Sequence, residues 1–261
     1  MKQLQYSLYK ISKTLFLFLS LTLIINSALH AEKKINAVVS IPPQKIFLSE
    51  ISSGFVDITV LVGAGQSPAT YEPTPGQMAA LSSADIYFRI GVPFENRLIS
   101  KITAMFPELK IVDLRDGIEL HDISGHEHGD QIHEGAKDPH IWMDPILVKK
   151  QAGTILETIS IIMPENKPIF EKYYYNFIAQ LDTLDNTVKQ IIDSCNKKEF
   201  LIFHPTLGYF ANRYGLNQIP IEYDGKEPGA KYITELIKMA EKNNITTIFA
   251  QPQFSDKSAR V

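Results

Sequence analysis

The sequence is poor in cysteine and tryptophan, with one of each, and it has no large excess of charge of either sign. Because Cys195 has no second cysteine to pair with, an internal disulfide is excluded and the fold depends on its hydrophobic core. A site built from several thiolates is excluded too, so any metal ligands must be histidines and carboxylates. The net charge of -3 offers no basic surface, and we predict no nucleic-acid partner.

Long apolar runs are also scarce, and only residues 15–25 form one near the N-terminus. Lysines precede this run and small residues follow it, a pattern that is typical of a secretory signal peptide. The run itself is too short to span a bilayer comfortably. We therefore predict that residues 1–31 are a signal peptide cleaved near Ala28 or Ala31, and that the mature protein is periplasmic. An uncleaved N-terminal anchor is the alternative.

Short apolar, β-branched runs alternate with helical patterns along the rest of the chain. This alternation predicts an α/β fold in which mostly parallel sheets are covered by helices. The predicted strands are residues 35–40, 56–62, 84–90, 110–114, 200–203, 218–222 and 247–250. The predicted helices between them are residues 46–51, 76–82, 94–105, 209–214 and 232–243.

One longer helix is predicted from Pro168 to Cys195, where apolar residues form a single stripe. A helix of that length reaches roughly 40 Å at 1.5 Å per residue, so we interpret residues 166–195 as a rigid link between two lobes. The predicted lobes are residues 32–165, which include a His-rich loop at 119–138, and residues 196–261. A surface helix on a single domain is the alternative. We expect the second lobe to be incomplete, because Val261 falls within a helical pattern that starts near Ser255.

The histidines after the predicted signal peptide fall into two groups. His140 lies between two Asp-Pro pairs and His204 directly follows a predicted strand, where open α/β sheets bind their ligands. The others occupy a Gly-, Asp- and Glu-rich stretch; they are His121, His126, His128 and His133. Neutral imidazole favours Zn²⁺ over Mn²⁺, so we predict a zinc site at His140 and His204. The alternative for His140 and His204 is that each is an ordinary histidine of the hydrophobic core. The alternative for the other four is a solvated loop that binds no metal.

Five short motifs, in chain order, resemble the zinc and manganese substrate-binding proteins of bacterial ABC importers. They are Ser40-Ile41-Pro42-Pro43-Gln44, Tyr71-Glu72-Pro73-Thr74-Pro75, Asp138-Pro139-His140-Ile141-Trp142, Phe203-His204-Pro205 and Gln251-Pro252-Gln253-Phe254-Ser255. The resemblance implies two α/β lobes joined by a long helix, a metal in the cleft between them and delivery to a membrane permease. Zinc members of that family commonly carry a His-rich acidic loop just before the second ligand, where the loop histidines lie.

The resemblance assigns the family's second and third metal ligands to His140 and His204. The first ligand position falls on Ala69, whose methyl group cannot bind metal, and the fourth would lie beyond Val261. Two imidazoles alone make a weak site, so a further ligand is expected from elsewhere in the chain. We predict the loop as its source, with Glu72 as a weaker candidate; the loop donors are His126, His128 and His133. Support for the ligands could come from Asp138 or Glu222.

We therefore predict a monomeric receptor that captures Zn²⁺, or less favourably Mn²⁺, and passes it to an ABC permease, and not an enzyme. A metal-dependent hydrolase is one alternative, in which His140, His204 and a carboxylate hold an ion that activates water. Asp138 and Asp144 are the nearest candidates for its general base, but the proline after each is more typical of a rigid loop. A metal-binding adhesin is the other alternative, and it would share the site.

Overall fold

The structure is a computed structural model that describes residues 34–122, 137–222 and 228–251. The chain from Ile35 onward forms one compact unit. Two parallel β-sheets with helices packed on them make up this unit, so the predicted α/β class with mostly parallel sheets is confirmed. The predicted signal peptide and the helix expected near Ser255 lie outside the described residues.

The first sheet has four parallel strands in the order β2-β1-β3-β4. The strands are β1 (Ile35–Val39), β2 (Val56–Val60), β3 (Ile86–Arg89) and β4 (Lys110–Asp113). The helices that connect them are α1 (Pro42–Ser52), α2 (Pro75–Ser83) and α3 (Pro93–Met105). Each helix begins with a proline, whose fixed φ suits a first turn and whose missing N–H would have no helical partner there. Helix α1 therefore starts four residues earlier than predicted, because its two prolines belong to it.

Two long helices follow this sheet, α4 (Pro145–Ile162) and α5 (Lys167–Ser194). Helix α4 was not among the predicted elements, although its buried residues recur every three or four positions, which is the helical period. They include Val148, Ala152, Ile155 and Ile159. The Asp-Pro pair at its start is a further signal, since Asp144 accepts hydrogen bonds from the N–H groups of Ile146 and Leu147.

Helix α5 has 28 residues and confirms the predicted long helix to within one residue at each end. Its first half packs on the first sheet through Phe170, Phe177 and Leu181, which belong to the same hydrophobic core as the strands. Near its other end, Asp185 accepts a hydrogen bond of 2.9 Å from the hydroxyl of Tyr214 in the second half of the chain. The helix therefore contacts the first sheet and a helix of the second half of the chain, as a link between two lobes requires.

The second sheet has three parallel strands in the order β6-β5-β7 in the part of the chain that the structure describes. They are β5 (Glu199–Ile202), β6 (Asn217–Pro220) and β7 (Ile248–Phe249), with helices α6 (Gly208–Tyr214) and α7 (Ala230–Lys242). A small apolar core holds this layer together, formed by Leu201, Phe203, Ile221 and Leu236. We call β1–β4 with α1–α4 the first lobe, and β5–β7 with α6 and α7 the second lobe. Among the described helices, none combines the length and apolarity needed to cross a bilayer.

Candidate metal centre

His140 and His204, far apart in sequence, lie side by side in the structure. Their ring centroids are 5.3 Å apart and the rings are nearly perpendicular, at 78°. If each nitrogen binds an ion at about 2.1 Å in tetrahedral geometry, the two ring centres lie about 5 Å apart. The pair therefore has the spacing of two imidazoles that share one ion.

Each of the two imidazoles is held at Nδ1 by a buried carboxylate. Oδ1 of Asp138 lies 2.6 Å from Nδ1 of His140, and Oε1 of Glu222 lies 2.5 Å from Nδ1 of His204. Both carboxylates are buried. A neutral histidine that donates its Nδ1 proton to a carboxylate presents Nε2 to a metal, and the carboxylate fixes the ring orientation and raises its basicity. Asp138 and Glu222 thus occupy the supporting positions suggested for them by sequence.

The segment that carries His140 is braced by its own turn. Oδ1 of Asp138 also accepts the backbone N–H of His140 at 2.9 Å, so one oxygen contacts both the main chain and the ring of the same residue. The ring of Trp142 packs edge-on against His140, with centroids 5.0 Å apart. The side chain of His140 is only 13% exposed as a result. This histidine is therefore oriented before any ion arrives.

His204 is held by a residue whose role sequence reasoning missed, Gln251. The Gln251 side chain accepts the N–H of His204 at 3.2 Å and donates to the carbonyl of His204 at 2.7 Å. It also donates to the hydroxyl of Thr206 at 3.1 Å. The amide therefore pairs with the backbone of His204 as a neighbouring strand would. The sequence motif that contains Gln251 was recognised, but the position of Gln251 beside His204 depends on the pairing of β5 with β7.

The two aspartates considered as general bases are both engaged. Oδ1 of Asp138 contacts His140, while Asp144 caps α4 and forms a 2.5 Å ion pair with Arg213 of the second lobe. Asp144 is also buried. Both carboxylates are therefore occupied by contacts within the protein.

The base of the His-rich loop lies directly beside the site. An isolated antiparallel bridge joins Asp122 to Lys137, and their side chains form an ion pair of 2.6 Å. The N–H of Asp138 donates to the carbonyl of His121 at 2.9 Å, and the ring of His121 stacks on Tyr209 at 4.5 Å. Burial raises the pKa of Tyr209, so its hydroxyl keeps its proton. The two described ends of the loop thus lie next to each other, and the second end, Lys137, is three residues before His140.

Of the remaining predicted donors, only Glu72 lies within the described residues. Glu72 and Ala69 are exposed, and the carbonyl of Ala69 accepts a hydrogen bond of 3.0 Å from Arg97. Over the three described ranges, no group of three or more His, Cys, Asp or Glu side chains is arranged to hold a metal ion. His126, His128 and His133 lie outside those ranges.

Comparison with known proteins gives this geometry a context. The sequence model of a family described as zinc-uptake complex component A, periplasmic (ZnuA), matches residues 37–261. The chain belongs to this family. It is 31% identical over 239 residues to the high-affinity zinc uptake system protein ZnuA of Bacillus subtilis, covering 87% of this chain and 73% of that protein.

One further relative in sequence and one solved structure differ in how much of their length this chain spans. The chain is 26% identical to the zinc-binding lipoprotein AdcA of Streptococcus pneumoniae over 88% of its own length, but it spans about half of that protein, 48%. A crystal structure of ZnuA matches with 39% identity and a TM-score of 0.81, covering 87% of this chain and 86% of that one. The two-lobed fold with a long linking helix is thereby confirmed.

The other motifs that suggested the ZnuA family have structural roles. Gln44 accepts the N–H groups of Ser40 and Ile41 and donates to the carbonyl of Phe88, so it joins β1 to β3. Thr74 accepts the N–H of Gln77 at 3.3 Å and so caps α2. These two motifs build the first lobe, whereas the motifs around His140 and His204 build the site.

Proposed function

We propose that this ZnuA-family protein captures Zn²⁺ outside the cytoplasmic membrane and delivers it to the permease of an ABC importer. The observation that carries the proposal is the pair of imidazoles, each oriented by a buried carboxylate and contributed by a different lobe. The zinc uptake and zinc binding named for the Bacillus and Streptococcus relatives support the choice of ion.

Zn²⁺ fits the pair better than Mn²⁺ does. Neutral imidazole is a good ligand for zinc, whereas manganese sites use more carboxylate and carbonyl oxygen. Here both nearby carboxylates are turned to the Nδ1 atoms of the histidines. Mn²⁺ is therefore the weaker candidate.

The further ligands of the ion are proposed to come from the His-rich loop. Both ends of that loop lie beside Asp138, so the loop that carries these histidines is attached to the fold close to His140. The donors are His126, His128 or His133, with Glu72 as the weaker alternative. The loop is then part of the site and not an accessory.

The proposal also includes the organisation of the chain. Residues 1–31 act as a signal peptide, residues 32–165 and 196–261 form the lobes, and residues 166–195 link them. The mature protein works as a periplasmic monomer and makes or breaks no covalent bond. A hydrolase is disfavoured because Asp138 and Asp144 are already engaged.

The direct test is a zinc titration of the purified mature protein in competition with a chelating dye. We expect one tightly bound zinc per chain and weaker binding of Mn²⁺. His140→Ala and His204→Ala should each lower the zinc affinity about 100-fold or more, since each removes one of few ligands. Thermal unfolding without metal shows whether each variant is folded.

Two results would contradict the proposal. One is a zinc affinity that is unchanged in both folded variants. The other is hydrolysis of ester or phosphate substrates at a rate that rises with zinc occupancy and is lost with His140.

A further inference from the structure

The start of helix α6 in the second lobe contacts the support of His140 in the first lobe. The hydroxyl of Tyr209 donates to the carbonyl of Asp138 at 2.9 Å and accepts the N–H of His121 at 3.1 Å. Its ring stacks on His121, tilted by 21°. Tyr209 is only 2% exposed, so these two hydrogen bonds are shielded from water. The buried side chain of Tyr209 thus holds both chain segments at the base of the loop.

The residue before Tyr209 approaches the side chain of the same aspartate, whereas Tyr209 contacts its backbone carbonyl. A Cβ on Gly208 would lie 2.8 Å from Oδ2 of Asp138, closer than a carbon and an oxygen can approach without displacement. The other oxygen of that carboxylate, Oδ1, is the one that orients His140. The backbone of Gly208 therefore forms a wall against Asp138, and only glycine allows this approach.

We propose that Gly208 and Tyr209 are positioning residues through which the second lobe sets the orientation of His140; the inference rests on the zinc-binding function proposed above. Neither residue touches the ion. The same lobe carries His204, held by Glu222 and Gln251. Both imidazoles are then oriented by second-lobe residues, and zinc affinity depends on the contact between the lobes.

The chain offers a matched control for Tyr209 on the same helix. Tyr214 is also buried, and its hydroxyl also donates a single hydrogen bond of 2.9 Å across to another element, to Asp185 of α5. No contact of Tyr214 reaches Asp138 or His121 among those that the structure describes. Tyr209→Phe and Tyr214→Phe each remove one buried hydroxyl from α6, but only the first loosens Asp138.

The test is the zinc affinity of the two variants by chelator competition. Direct partners of a metal-bound histidine change affinity 10- to 100-fold, and Tyr209 lies one contact further out. We expect Tyr209→Phe to weaken zinc binding roughly 5- to 20-fold, and Tyr214→Phe to leave it within about twofold even if both lower the melting temperature. Gly208→Ala should weaken binding at least as much as Tyr209→Phe, because it displaces the carboxylate itself.

A spectroscopic measurement separates orientation from general loosening. With Co²⁺ in place of zinc, the ligand-field absorption bands should shift in Tyr209→Phe and Gly208→Ala but not in Tyr214→Phe. Equal affinities and identical spectra for Tyr209→Phe and Tyr214→Phe overturn the inference. If Tyr209→Phe does not fold, the same comparison is made between Gly208→Ala and Tyr214→Phe. Failure of the wild-type protein to bind zinc overturns the proposed function instead.

Discussion

At the scale of single residues, the structure shows how each of the two imidazoles is oriented. His140 is fixed by a carboxylate two residues away, so its geometry is local. His204 is fixed by Glu222 and Gln251, which follow two different strands, β6 and β7, on either side of β5. Because both side chains are already held in place, they lose less conformational entropy when an ion binds.

The sequence resemblance assigns the family's first ligand position to Ala69. The resemblance places a histidine there, and the exposed methyl group has room for a larger side chain. We expect Ala69→His to raise the zinc affinity at least 10-fold, because a third imidazole completes more of a tetrahedral shell.

Chelator competition measures the effect of Ala69→His, and Ala64→His provides a control at another exposed position of the same loop. An equal change in both variants, or no change in either, would show that residue 69 does not face the ion.

At the scale of elements, the loop between Asp122 and Lys137 is tied at its base and joined directly to the segment of His140. Helix α4 is attached at the other end of that segment through its cap, Asp144, which also pairs with Arg213. The segment that carries His140 is therefore held between the Asp122–Lys137 bridge on one side and the capped start of α4 on the other. Under the proposed function, such anchoring would raise the effective concentration of the loop histidines at the ion.

Replacement of the three loop donors tests whether the loop completes the site. We expect the combined change His126→Ala, His128→Ala and His133→Ala to lower zinc affinity about 10-fold or more, since the remaining pair alone is a weak site. A dye competition titration at neutral pH measures this effect. Ser124→Ala with Gln131→Ala is the control, because it alters the same loop without removing an imidazole. Equal affinity of the two loop variants would make the loop an accessory.

At the scale of the whole molecule, Asp185 connects the linking helix to the second lobe. Burial alone would raise the pKa of this carboxyl, but hydrogen bonds from Lys189 and Tyr214 outweigh burial and lower its pKa below the ordinary value. A carboxyl with a lower pKa in the folded than in the unfolded state stabilises the fold above the unfolded pKa. That contribution is lost as the pH falls through the folded pKa.

The pH dependence of Asp185→Asn tests this connection. We expect the variant to melt several degrees below the wild type at pH 7, and the difference to shrink as the pH falls below about 4, near the unfolded pKa of aspartate. Melting temperatures measured across this range check it. Asp182→Asn, an exposed carboxylate on the same helix paired with Lys149, should change little at any pH. A difference at pH 3 as large as that at pH 7 would contradict the assignment.

The elements that sequence predicted well are those with a local cause. A strand such as Val56–Val60 is a short β-branched run, and the long helix Lys167–Ser194 has a stripe that repeats every three or four residues. Helix α4 carried the same signal together with its Asp-Pro start, so it was predictable and was missed. His140 and His204 were identified because each stands beside a pattern that marks a strand end or a rigid turn.

By itself, then, the sequence determined the α/β class and most of the elements, and it indicated the two imidazoles as candidate ligands, because periodicity, proline and turn chemistry act over a few residues. Tertiary structure decided that the two rings meet at 5.3 Å and that Glu222 and Gln251 hold one of them. It also decided that Gly208 and Tyr209 reach Asp138. These contacts join residues distant in sequence, and their geometry depends on strand order and lobe packing, which no local pattern encodes.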